Sequence, residues 1–167
     1  MIAAARAALV LLLTTDPQFV ADMHVLGLGL HGNAVTPSVL KGNRPFEQIG
    51  QEHYPVWVHD AGDLRGASAS SEGGDPDGLV INSTQQDWLG DVELSLVWLQ
   101  QDYDTSVDQV DGVLPALVRL LLRNPDLSGT CTLAFVADVI NARSFRHPTQ
   151  HTAFTIRVMA TIHRDMP

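Results

Sequence analysis

The chain has 167 residues, 45% of them apolar, enough material for one domain with a sizeable core and too apolar for a disordered chain. Its 10 basic against 19 acidic residues give a net charge of -9, with Lys41 as the one lysine. Such a balance excludes a broad basic footprint for gripping nucleic acid or an anionic membrane, although an acidic wall that repels DNA is compatible with a passage for it.

Taken from the start, residues 1–13 are apolar apart from Arg6 and read as an alanine-rich buried helix, ended by the approach to Pro17. At about 1.5 Å per residue this helix is too short to span a bilayer, and no basic residue precedes the apolar run as a signal sequence requires. With one charge, it is expected to be covered on most sides. Residues 19–30 read as an extended segment. Gly27, Gly29 and Gly32 match the spacing of a dinucleotide-binding turn, but residues 33–42 show no helical period and carry Pro37 and Gly42. The helix that must receive a pyrophosphate is missing from the pattern, so a strand and turn is the reading and no cofactor is expected.

Residues 41–55 are polar and turn-rich, and residues 54–59 suit a short strand that Pro55 assigns to a sheet edge or a strand start. Residues 60–78 are dominated by Ala, Ser, Gly and Asp and are expected to form a long flexible loop or hairpin tip. Its charged members Asp63, Arg65, Asp75 and Asp77 are candidates for docking a partner. The run from Gly66 to Ser70 lacks the last glycine of a nucleophile elbow. Residues 79–82 would be the return strand.

The most regular part follows. Residues 92–99 alternate, with Val92, Leu94, Leu96 and Trp98 on one face and Glu93, Ser95, Val97 and Leu99 on the other. Both faces are largely apolar after Glu93, which suggests a central strand with one face on a helix and the other on a second sheet or subunit. After an acidic turn at 100–104, Thr105 or Ser106 can cap a helix over about 107–122, with Asp108 and Asp111 near its positive end. Pro115 implies either a kink or a first turn near Leu114. Arg119 and Arg123 share a wet face, and Asn124 with Pro125 ends the helix. Residues 130–144 and 152–163 alternate as two long strands of a C-terminal hairpin, with Phe154, Ile156, Val158, Ala160 and Ile162 on one face. Its tip carries Arg143, Arg146, His147 and His151, the most basic spot on an acidic chain.

Chemistry-bearing residues are sparse. Cys131 is the single cysteine and reads as a buried, inert thiol within a strand. His147 and His151 have a metal-pair spacing, but Pro148 argues against the helix that would use it, and no third ligand is at hand, so no metal is expected. His53 and His59 flank a strand and form no recognisable site. The expectation is a single α+β domain: a mostly antiparallel sheet with an N-terminal helix and one long helix packed on it, closed by the C-terminal hairpin.

This order of elements resembles the small tail-terminator and tail-completion proteins of long-tailed bacteriophages. The similarity covers nearly the whole chain: residues 1–13 as first helix, the strand ending Leu96, Val97, Trp98, the helix containing Leu117 to Leu122, and the closing pair 133–140 and 154–159. It is a likeness of layout, without an invariant motif. The resemblance implies a structural virion protein, not an enzyme, made in the bacterial host cytoplasm and placed at the tail-neck region. It also implies a homo-oligomeric ring, commonly a hexamer, that meets the tail-tube protein and a neck or connector protein and lets DNA through its lumen without specific binding. A head-tail connector or other neck subunit is the nearest alternative; a small ligand-binding domain or enzyme is the alternative from another class.

Overall fold

The computed structural model describes residues 2–29, 39–42, 48–66, 81, 85–99, 103–143 and 149–163. Among them are three helices, α1 (Ile2–Thr15), α2 (Pro17–Val25) and α3 (Tyr103–Arg123). Five strands accompany them: β1 (Val39–Lys41), β2 (Val56–Gly66), β3 (Gln85–Leu99), β4 (Leu133–Arg143) and β5 (Thr149–His163). The sheet order is β1-β2-β3-β5-β4, antiparallel throughout except for the β1–β2 pair. The α+β architecture expected from the sequence is therefore present, with β3 central.

Alternation fixes the two faces of the sheet, because successive side chains on a strand point opposite ways. One face carries Trp57, Val92, Leu94, Leu96, Trp98, Phe154, Ile156 and Val158, all buried against the helices. Helix α1 contributes Ala5, Leu9 and Leu13, spaced by four, and α2 contributes Phe19 and Met23. The α3 stripe is Val110, Val113, Ala116, Leu117, Leu120 and Leu121. Trp57 sits at the middle of this layer, its ring 6.1 Å from both Phe19 and Phe154. Burying these side chains is the main stabilising term, at about 1.5–3 kcal/mol for each fully covered large residue.

Several expectations need correction. Residues 19–25 are helical rather than extended, because Asp16 is an N-cap whose carboxylate accepts the Phe19 N–H at 2.8 Å, and Pro17 occupies the first turn of α2. Pro17 thus starts a second helix as well as closing the first. Gly27, with φ +68°, takes the left-handed conformation just past the end of α2, a helix stop and not a phosphate turn. Helix α1 is covered on one side only: Leu11 is 60% exposed, while Ala5, Leu9 and Leu13 are buried. The α3 helix begins at Tyr103, so Thr105 and Ser106 lie inside its first turn and do not cap it, and Pro115 sits on its exposed side within a continuous helix. At Gly112 a side chain would strike Leu26, so this glycine lets the end of α2 approach α3 closely.

Strand β2 runs on to Gly66, through residues assigned above to a loop, with an irregularity between Ala61 and Leu64. It is flanked by β1 and β3, so it is not an edge strand, and Pro55 stands just before its start after a cis Tyr54–Pro55 bond. Of the expected return strand 79–82, the described residue Ile81 makes an isolated bridge to Gln86. Strand β3 starts at Gln85, seven residues before Val92, and pairs with β5 along its whole length, from Gln85 opposite His163 to Leu99 opposite Thr149.

Candidate docking face

All three helices lie on one side of the sheet, which leaves the other side to be explained. At one end the segment around Ile49 and Tyr54 covers it, packing with Val56, Val58 and Val97. The Tyr54 hydroxyl donates to the Ile49 carbonyl at 3.4 Å. Over the rest, no helix or strand among the described residues lies on this outer face.

Its composition follows from the register. Across the middle, Asp60 pairs with Glu93, Glu93 with Thr155, and Thr155 with Asp138, which makes a row of three carboxylates spanning four strands. The Thr155 hydroxyl donates to Glu93 at 3.3–3.4 Å. Burial lifts the Glu93 carboxyl above its ordinary range; the Thr155 hydroxyl pulls it back, and the negative fields of Asp91, Asp63 and Asp138 lift it further. One register step along, Arg157 donates to both oxygens of Asp91, at 3.0 and 3.3 Å. That pairing holds the guanidinium more firmly protonated. Thr161 donates to Asp87 at 2.6 Å in the same way.

Apolar side chains flank the acidic row. Leu133 and Phe135 on β4 lie to one side and Ile140 to the other, 40%, 38% and 59% exposed respectively. Leu89, buried, packs with Met159 beside them. Strand β4 ends the sheet among the described residues, and its free edge is interrupted by an irregularity between Val136 and Asp138. A bulge and a charge on an edge strand discourage pairing by its backbone, so the side chains of the face, more than the edge, are what a partner would meet.

The docking residues read from the sequence are only partly brought together. Asp63 and Arg65 stand on β2, not in a loop, and line a shallow groove of about 170 Å³ with Leu89, Gly90, Asp91 and Arg157. Asp75 and Asp77 lie outside the described residues, as do Arg146 and His147. Arg143 is the last residue of β4, whereas Arg65 is level with Leu133 at its start, about 30 Å away along the strand. Among the described candidates, Asp63 and Arg65 therefore stand toward one end of the sheet and Arg143 at the other.

A second groove, of about 220 Å³, is lined by Gly27, Leu28, Tyr54, Pro55, Trp98, Leu99 and Gln109. Its polar groups are engaged in the fold: the Trp98 indole donates to Gln109 Oε1 at 2.9 Å, and Gln109 Nε2 donates to the Leu26 carbonyl at 3.0 Å. His53 and His59 line neither groove. His59 is on the helix-facing side opposite Leu94, where burial and the positive fields of Arg6 and Lys41 hold its imidazole below the usual range. His151 is opposite Val97 on the outer side and is likewise lowered by burial. Cys131 sits half-buried in the turn before β4 rather than within a strand, with its thiol pushed up by burial and by Asp126. Among the described residues, no three His, Cys, Asp or Glu side chains are grouped to hold a metal ion, and no helix is long and apolar enough to cross a membrane.

Sequence reading missed Asp87, Asp91, Glu93 and Arg157 as partners. The polar positions Thr155, Arg157 and Thr161 on β5 were visible, but their partners became recognisable only once β3 was known to begin at Gln85. No known protein-family model matches the chain, and a search of curated proteins returns no match.

Proposed function

We propose that the chain is a structural subunit of a long-tailed phage, a tail terminator by preference, which assembles into a ring that closes the tail tube and joins it to the head. The observation that supports this most is the asymmetry of the sheet. One face is spent on the helices, and the other offers Leu133, Phe135 and Ile140 around a row of carboxylates. Exposed apolar side chains gathered on one face and rimmed by polar groups suit contact with other subunits.

The acidic balance of the chain fits a ring that lets DNA pass without holding it. A hexamer is the stoichiometry the family resemblance favours, with the tail-tube protein on one side of the ring and a neck protein on the other. The test is to mix the purified protein with purified tail tubes and with portal or neck complexes, then image them. Binding at tube ends supports the terminator. Binding only to the portal side favours a connector, and indifference to both counts against a virion role.

A further inference from the structure

The outer sheet face raises the question of what it receives, and its register gives the pattern to be matched. Along β4 the outward side chains are Leu133, Phe135, Asp138 and Ile140, opposite Met159, Arg157, Thr155 and Ala153 on β5. Successive pairs stand two residues of β5 apart, about 7 Å. An acidic step thus sits between apolar ones, with Phe135 on one side of it and Ile140 on the other, 38% and 59% exposed. Across the strands the acidic step continues through Glu93 to Asp60, a span of about 14 Å at the usual spacing between strands.

This pattern narrows the occupant by chemistry. DNA or an anionic membrane is repelled by the carboxylates. A metal ion would meet the carboxylates and leave Phe135 and Ile140 in water. A second copy laid on the face brings its own net charge of -9, and its Arg119, Arg123 and Arg157 are already engaged, with Asp22 at 2.9 Å, Asp16 at 2.6 Å and Asp91 at 3.0 Å. What fits both features is a segment of another protein that sets a lysine or arginine between apolar side chains.

We infer that the outer face docks a strand of a different protein whose facing side chains run apolar, basic, apolar at two-residue intervals, the cation against Asp138 and Glu93 and the apolar groups on Phe135 and Ile140. A strand repeats its side chains on one face every two residues, so its spacing matches that of β4, and sheets stack face to face in this way at about 10 Å. Glu93 gains from the arrival. Its carboxyl is lifted by burial and, against the pull of the Thr155 hydroxyl, by the fields of Asp91, Asp63 and Asp138, and a neighbouring cation favours the charged form. Covering the apolar groups supplies attraction, while the charges set the register and turn acidic partners away. The inference rests on the docking role proposed above and gives the partner its chemistry: in a ring, this face meets the tube or the neck and not the neighbouring copy.

The experiment takes two cyclic β-hairpin peptides, one presenting Leu, Lys and Leu at alternate positions of one face and the other Leu, Glu and Leu, and titrates each into the full chain by calorimetry at about 0.05 M salt. The lysine hairpin should bind about tenfold more tightly or better. Glu93→Lys should reverse the preference, and Phe135→Ser should weaken the lysine hairpin by about fivefold. Asp111→Lys, the same kind of charge reversal on the exposed side of α3, should leave the ratio within about twofold. Circular dichroism shows whether each variant is folded; if Glu93→Lys is not, Glu93→Gln should still lower the ratio by about threefold. Equal binding of the two hairpins, binding of neither, or a ratio as sensitive to Asp111→Lys as to Glu93 overturns the inference. Imaging with tail tubes and neck complexes separates the two readings: binding to either without a hairpin preference keeps the docking role and removes the basic strand, and indifference to both removes the docking role as well.

Discussion

Gln109 is the buried polar residue whose removal the structure makes most predictable. It is 3% exposed on α3 and joins three elements: it accepts from the Trp98 indole on β3 and donates to the Leu26 carbonyl at the end of α2. Replacing it by leucine keeps the volume and removes both bonds, so Trp98, itself 2% exposed, loses its acceptor and Leu26 loses its donor. Each orphaned buried group costs about 1–3 kcal/mol. The adjacent groove admits water to part of the site, which places the sum near the lower end, at about 2–3 kcal/mol. For a domain of this size that corresponds to a fall in melting temperature of about 4–12 °C. Urea denaturation followed by circular dichroism measures it without relying on Trp98 fluorescence. A double-mutant cycle with Trp98→Phe should return a coupling of about 1 kcal/mol. A loss below about 0.5 kcal/mol would refute the claim that this bridge ties the three elements together.

Other expectations follow from the same structure. Asp16→Ala removes an N-cap and the Arg123 and Asn124 partners together, and should cost about 1–2 kcal/mol by urea denaturation. The Asp16 carboxyl is lowered although its burial works the other way, because the bonds from Arg123 and Phe19 outweigh that burial; the stability it contributes is present above pH 3.8 and is lost as pH falls through its lower folded value, so the alanine variant should show a shallower acid loss in that range. Gly27→Ala meets open space, with Gln109 at 3.7 Å, but must hold φ +68°, so it should cost about 1 kcal/mol from backbone strain alone. His59 is lowered by burial and by its cationic neighbours, so it favours the fold above pH 6.5 and that contribution is lost below; the difference in urea midpoint between pH 7.5 and 5.5 should shrink in His59→Gln. Glu93 has the opposite sign: its raised carboxyl disfavours the folded state at neutral pH, and Glu93→Gln should raise the urea midpoint at pH 7 while leaving it nearly unchanged in acid.

Much of this fold was legible in the sequence where a single physical signal dominated. The alternation of Phe154, Ile156, Val158 and Ala160 marks β5, and the stripe from Val110 to Leu121 marks α3 despite Pro115. Legibility failed where two signals competed. Phe19 and Met23 have helical spacing, but Val20, Val25, Gly27 and Gly29 around them favour an extended reading; Asp16 followed by Pro17, a helix start, was the signal that decides it. In β2, the glycines at 62 and 66 and the run of polar residues imitate a loop, whereas pairing with β3 supplies the backbone partners that keep the segment extended through its irregularity. The acidic row could not be seen in advance for a different reason. Asp60, Glu93 and Asp138 are far apart in sequence, and only the register of four strands sets them in line.

The proposed role as an assembled ring at the end of a phage tail is open to light scattering on the purified protein, alone and with tail-tube protein. The expected result is a closed oligomer, about six chains by the family likeness, either on its own or once tail-tube protein is present. A monomer whose mass does not change with concentration or with tail-tube protein would contradict it.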